Sequence, residues 1–472
     1  MKTTLVSPTV PEARAPLFNP ALGALSLSML LASFGTSVAN VSLPTFAKVF
    51  DASFQQVQWV VLAYLLSITT LIVSVGRLGD IIGRRRLLLS GLALFTVASL
   101  LCGLASTLWL MIAARAAQGL GAAVMMALSI AFVGQTVPGA MTGRAIGLLG
   151  TMSAIGTALG PSLGGFLIAG FGWQAIFLVA VPVGLVALAL AWLALPKDAE
   201  TSAKVPGLDL IGTALLAATL AAYALAMTLG RGQFGPVNAA LLGSALTGLV
   251  AFVAAETKVA APLIRLAMFR EQGLATGLAT SFLVSTVVMA TLVVGPFYLT
   301  GALGLGATAV GAILSVGPVV SALVGVPAGR LTDRFGSSTL AVSGLAAMTV
   351  GALALSIIPS SLGIAGYLLP LALLTAGYSA FQTANNTAVM KDRNPDQRGV
   401  VSGMLNLSRN LGLVTGVAVM GAVFAFGTGV RDSAEAPSAS VESGMHMAYA
   451  VAATVVFAAL ILAFRQRRAS DT

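Results

Sequence analysis

Of the 25 lysines and arginines in this 472-residue chain, only Arg115 and Arg409 fall well inside long apolar runs, away from their last residues. If those runs cross a bilayer, each guanidinium costs at least about 2.5 to 3.5 kcal/mol, so it needs partners or a polar cavity. Arg115, Gln118 and Ala122 stand at i, i+3 and i+7, on one helical face. Two readings are open. Arg115 is a structural arginine bonded to carbonyls of the first helix. Alternatively, with no carboxylate nearby, it is a fixed cation that attracts an anionic or carbonyl-rich substrate. Arg409, with Asn406 and Asn410 beside it, invites the same choice, or snorkels to the nearer end of its run.

Uncharged polar groups extend the pattern. Tyr378, Gln382, Asn385 and Asn386 lie at i, i+4, i+7 and i+8, a stripe that suits either a wet cavity wall or interhelical glue. Tyr64 with Ser67, and Thr36 with Asn40, give two earlier runs a polar face. Met152, with Met125 and Met126, is an adaptable thioether wall or plain packing. The expected substrate-binding set is therefore Asn40, Tyr64, Ser67, Arg115, Gln118, Met152, Tyr378, Gln382, Asn385, Asn386 and Arg409.

Enzyme chemistry has no foothold. The one cysteine, Cys102, cannot form an intrachain disulfide, and the one histidine, His446, has no companion at metal-ligand spacing. Gly119-Leu120-Gly121 lacks the third glycine of a dinucleotide fingerprint, and no Gly-x-x-x-x-Gly-Lys-Ser/Thr phosphate loop exists. No enzyme, cofactor or metal is expected, and energy must come from a gradient or a partner.

The elements that hold these residues follow from composition. At 57% hydrophobic and 8% charged, the chain lacks the polar surface of a soluble globule, whose charged share is about 25%. Apolar runs of the length a bilayer requires occur at Ala21–Ala47, Val57–Leu78, Leu87–Ala105, Leu108–Val133, Ala145–Gly170 and Trp173–Leu195. Leu208–Gly230 and Pro236–Glu256 form a pair, followed by Gln272–Leu299, Thr308–Leu331, Thr339–Ile358, Leu362–Met390, Val401–Gly427 and Met445–Phe464. No signal-peptide pattern precedes the first run, so it reads as a retained anchor. Fourteen crossings place twenty cationic residues on one side and three, Lys48, Arg231 and Arg431, on the other. The positive-inside rule then makes both termini cytoplasmic. The net charge of +10 reflects this asymmetry and no affinity for nucleic acid.

The chain also repeats itself. Gly76-Arg77-Leu78-Gly79-Asp80-Ile81-Ile82-Gly83 and Gly329-Arg330-Leu331-Thr332-Asp333-Arg334-Phe335-Gly336 are offset by 253 residues. Two like-oriented six-helix halves and an inserted hairpin follow, an arrangement typical of transporters with a site between the halves. The expected units are residues 1–196, a linker at 197–265 carrying the paired crossings, and 266–472. In the octets, Gly76, Arg77, Gly79, Asp80, Gly83, Arg84, Gly329, Arg330, Asp333 and Gly336 read as a charge latch between halves, or as a glycine-capped topology signal. Gly156, Gly160 and Gly164 recur every four residues beside Pro161 and form either a static packing seam or one that seals the rocking halves.

These motifs resemble the major facilitator superfamily, and within it the fourteen-helix drug:proton antiporters. The Gly76–Arg86 loop, the Arg115-…-Gln118-Gly119 stretch, Gly156–Gly165, Trp59-…-Tyr64-Leu65 and Trp173-…-Phe177-…-Pro182 carry the likeness over essentially the whole chain. The resemblance implies an all-α integral membrane protein of two six-helix bundles plus a two-helix hairpin. It implies multidrug-type export of amphipathic or hydrophobic molecules by alternating access, coupled to proton influx, from the plasma (inner) membrane. One departure stands out. Gly35 occupies the position where the family's first helix usually has an aspartate, and no Asp or Glu lies in the middle third of any expected crossing. Neutral or anionic small molecules are therefore the expected substrates, with proton and lipid as the other partners and a monomer as the expected state. A facilitator or exporter of an organic anion or metabolite without proton coupling, or a non-transporting sensor, has the same architecture.

Overall fold

The computed structural model describes residues 19–72, 74–137, 141–198, 209–229, 235–258, 271–390, 395–429 and 436–471. Lys2, Arg14, Lys204, Arg231, Arg265, Arg270, Lys391, Arg393 and Arg431, which entered the charge count, lie outside these residues, as does the expected boundary at 265–266.

Seventeen helices and no strand occur among the described residues. In order they are α1 (Pro20–Val41), α2 (Leu43–Val49), α3 (Phe54–Leu71), α4 (Val75–Ile82), α5 (Arg84–Gly103), α6 (Leu108–Thr136), α7 (Thr142–Phe171), α8 (Ala175–Leu178) and α9 (Ala180–Ala194). Then come α10 (Leu210–Thr228), α11 (Pro236–Glu256), α12 (Gln272–Gly301), α13 (Ala307–Phe335), α14 (Ser337–Ile357), α15 (Gly363–Met390), α16 (Pro395–Thr428) and α17 (Ser438–Asp471). Fourteen spans are long and apolar enough to cross a membrane, so this is a multi-pass membrane protein.

Local chemistry sets the helix ends. Asn19 caps α1 with Pro20 in its first turn, and Ser53 with Gln56 forms a capping box on α3. Some expected runs divide. Ala21–Ala47 breaks at Ser42, two residues before Pro44, which has no N–H to continue the ladder. Val57–Leu78 ends as α3 at Leu71, and its remainder joins α4 with the first octet. Trp173–Leu195 breaks at Val179, just before Pro182.

The two bundles have matching contacts. α1 packs on α7 as α12 packs on α16; α5 packs on α6 as α14 packs on α15; α3 packs on α6 as α13 packs on α15. Glycines make the match literal. At Gly121 a Cβ would lie 2.7 Å from the Gly91 carbonyl oxygen, and at Gly344 one would lie 2.7 Å from that of Gly377. Gly91 and Gly344 share the 253-residue offset of the octets. The outward faces carry bare apolar side chains, such as Leu193 at 80% and Ile357 at 75% exposure, as lipid contact requires. The α10–α11 hairpin stands outside both bundles, with α10 packed on α3 and α16.

The bundles touch at the end away from the octets. There Phe54 of α3, Phe297 of α12 and Phe424 of α16 form one cluster, with centroids 4.6 to 6.2 Å apart. The Gln58 side chain donates to the Val417 carbonyl at 3.1 Å. Gly165 of α7 and Gly311 of α13 meet backbone to backbone. Toward the octets the opposite holds: a Cβ on Gly147, Gly150, Gly325 or Gly329 would find nothing within 4 Å. These contacts between the bundles gather at the end away from the arginine-rich octets.

Candidate functional site

Arg115 lies on α6, in the first bundle, and is completely buried. Its Nε donates to the Val60 carbonyl at 2.9 Å, Nη2 to the Gly35 carbonyl at 2.9 Å and Nη1 to Gln118 Oε1 at 2.5 Å. The guanidinium also sits 4.1 Å from the ring centroid of Tyr64. Gln118 passes the network on to Ser99 Oγ at 2.8 Å, and Tyr64 Oη donates to the Ala32 carbonyl at 2.6 Å. Each of the three nitrogens of the fork has an acceptor on α1, α3 or α6, which is how a charge persists in an apolar core. Gly35 has a steric reason to lack a side chain, because a Cβ there would lie 2.8 Å from Tyr64 Oη.

This corrects the expectation that Arg115, Gln118 and Tyr64 line a cavity. They form a sealed clamp between helices. Asn40 is also fully buried, its amide donating back to the carbonyls of Thr36 and Ser37. Ser67, half-buried, packs against Gly119, and Met152 is half-buried on α7.

The second bundle offers more reach. Arg409 is half-buried on α16, with Nη2 3.2 Å from Asn406 Oδ1, and its charge acts on the half-buried Tyr378 of α15. Gln382 is half-buried one turn on, and Asn386 is exposed. Asn385 departs from the expected cavity stripe: it is 7% exposed and donates to the Gly277 carbonyl on α12 at 3.1 Å, so it joins helices. Next to Arg409, Ser408 donates to the Leu278 carbonyl at 2.6 Å and lines a cleft of about 400 Å³. The other walls are apolar: Ala275, Leu278, Ala279, Phe282 and Leu283 of α12, and Met404, Leu407 and Leu411 of α16. Arg409, one position on from Ser408, turns to a different side of α16, toward Tyr378.

The gating candidates divide as well. Gly156, Gly160 and Gly164 press against Leu30, Ser37, Val38 and Val41 of α1, inside the first bundle, so this series is a fixed seam and not the junction of the halves. Pro161 does touch the junction, its carbonyl oxygen facing Gly311. In the first octet Asp80 pairs with Arg84 at 2.9 Å, inside its own loop. Gly79 packs against Arg84 and Leu128, and Gly76 has open space around it. Gly83 (φ 102) and Gly336 (φ 83) both turn the chain in the region that favours glycine. Arg77 makes contacts of its own, while Arg330 and Asp333 are exposed and Gly329 is half-buried.

Sequence reasoning missed Gln58, the three-phenylalanine cluster, and Gly412 with Gly416. The last pair presses on Phe282 and Thr286 of α12 much as Gly156 and Gly160 press on α1. An offset of 256, three more than that of the octets, relates Gly156 and Gly160 to Gly412 and Gly416.

A family model described as Major Facilitator Superfamily matches residues 25–417. The chain belongs to the Major Facilitator Superfamily. It is a transporter by family and fold, and not an enzyme. Among relatives of this superfamily it is 28% identical over 447 residues to the riboflavin transporter RibZ of Clostridioides difficile (strain 630), covering 95% of this chain and 97% of that protein. It is 31% identical over 405 residues to the multidrug resistance protein Stp of Mycobacterium tuberculosis (strain CDC 1551 / Oshkosh), covering 85% and 75%. Among solved structures of the superfamily fold, a bacterial homologue of the human lysosomal transporter Spinster, inward-facing and unoccupied, aligns with TM-score 0.70 at 15% identity, covering 95% and 96%.

Proposed function

We propose that this Major Facilitator protein exports amphipathic or hydrophobic small molecules, neutral or anionic in preference to cationic, by alternating access. It works as a monomer in the plasma (inner) membrane with both termini cytoplasmic, and proton influx drives it. The observation that carries the reading is the half-exposed Arg409 of α16 beside Tyr378 of α15, with half-buried Gln382 one turn on. A single fixed cation with no carboxylate paired to it among the described residues attracts an acidic amphiphile and repels a cationic one. The drug-resistance relative supports export, and the basic loops support the orientation.

A second reading rests on Gly35. With a backbone carbonyl where the related helix usually carries an acid, uncoupled movement of an organic anion or metabolite is supported, as is a riboflavin-like solute. Inverted vesicles separate the two. Uptake of an acidic dye that rises when the lumen is made acidic supports proton-driven export; counterflow indifferent to the pH gradient supports the facilitator.

A further inference from the structure

The two seams between the bundles are built differently. One runs between α7 and α13. It is tight at its far end, where a Cβ on Gly165 would lie 2.6 Å from the Ala307 carbonyl oxygen, and open toward the octets, where Gly147, Gly150, Gly325 and Gly329 face empty space. Its margins carry exposed apolar side chains: Ile155 and Leu159 on α7, Val319 and Leu323 on α13. Neither α10 nor α11 packs on it.

The matching seam, between α3 and α16, is covered by α10. Ser74 and Thr213 share a 2.9 Å hydrogen bond near one end, and Trp59 Nε1 donates to Thr228 Oγ1 at 3.1 Å near the other. From Thr213 to Thr228 the helix rises about 22 Å, most of a hydrocarbon core of about 30 Å. α10 also reaches α16, through Leu216 and Leu220, which cluster with Leu66 and Leu411. Tied to Trp59 of α3 near one end and to Ser74, the residue before α4, near the other, α10 is a wall that travels with the first bundle.

We propose that α7 and α13 frame a one-sided lateral portal, through which a membrane-dissolved amphiphile reaches the cavity from the leaflet at the arginine-rich end, while α10 closes the opposite seam to lipid. The proposal rests on the transport reading for what passes, and on geometry for the passage. The margins of the portal are apolar, so a solute leaving lipid gives up no hydrogen bonds in passing them.

The test uses full-length protein in proteoliposomes containing nitroxide-labelled phosphatidylcholine. Native Cys102 is buried, so cysteines introduced one at a time by Val316→Cys, Leu66→Cys and Leu193→Cys carry a bimane label. Val316 is half-buried on α13 below the tight contact, Leu66 is half-buried beneath α10, and Leu193 is an exposed lipid-facing control. The expected result is loss of fluorescence at Val316 comparable with that at Leu193, and little loss at Leu66. Adding Leu216→Ala with Leu220→Ala should raise the loss at Leu66. An unquenched label at Val316 overturns the portal. Equal quenching at Leu66 and Val316, or shielding of Leu66 that survives the double substitution, overturns the role of α10. Because the readout requires no transport, these failures leave the export reading standing, and absence of transport leaves the portal standing.

Discussion

Arg115 donates a 2.9 Å hydrogen bond to the carbonyl oxygen of Gly35, so the first helix answers this buried charge with backbone where related helices usually offer an acid. Removing the guanidinium takes one of two bonds from this oxygen and from that of Val60, and leaves the buried Gln118 Oε1 without its donor at about 1–3 kcal/mol. Arg115→Leu is therefore expected to lower the thermal midpoint in detergent and the yield of folded protein. Arg115→Lys should recover only part, because one ammonium cannot reproduce the planar fork. Unchanged thermal unfolding with altered substrate choice would return Arg115 to the cavity.

Gly35→Asp restores the missing acid at a known cost. Its Cβ must displace Tyr64 Oη, sacrificing the bond to Ala32 at about 1 kcal/mol. The new carboxylate is then close enough to pair with Arg115. The variant should fold, export a quaternary ammonium dye better than the parent, and respond more steeply to the pH gradient. Dye efflux from cells compares the two proteins directly.

Arg409 carries the charge preference. Arg409→Gln should reduce transport of an acidic dye about tenfold, equivalent to about 1.4 kcal/mol, while an uncharged dye is little affected. Arg409→Lys should keep most of the preference. Equal loss for both dyes in inverted vesicles would assign Arg409 to structure.

The far-end seal depends on absent side chains. Gly421 lies against the Gln58 amide and Gly311 against the Pro161 carbonyl, so Gly421→Leu or Gly311→Leu should wedge the halves apart there. Both should impair transport and raise labelling of a cysteine at Phe297 by an impermeant maleimide added from that side. Labelling as slow as in the parent would show that the contact is not a gate.

Most of the fold was legible because lipid imposes long apolar runs, and the Pro236–Glu256 limits coincide with a helix-starting proline and a terminal charge. The breaks at Ser42 and Val179 were not, since proline also occurs inside unbroken helices here, as at Pro161 and Pro296. The site was harder to read. Arg115 shares a helical face with Gln118, but its decisive acceptors come from residues 55 and 80 positions earlier. Periodicity on one helix cannot report whether a polar stripe meets water or a neighbouring carbonyl. Asn385 and Arg409 illustrate the two outcomes, one bonded across helices and the other left half-exposed.

Alternating access itself is open to direct measurement with spin labels at glycines whose Cβ positions are vacant. One pair, Gly147→Cys with Gly325→Cys, reports the arginine-rich end, and another, Gly170→Cys with Gly306→Cys, reports the far end. Electron–electron distance measurements in proteoliposomes, with and without an imposed pH gradient and an acidic dye, should show the first distance shortening as the second lengthens. Distances that stay fixed, or that change in the same direction, would contradict the account.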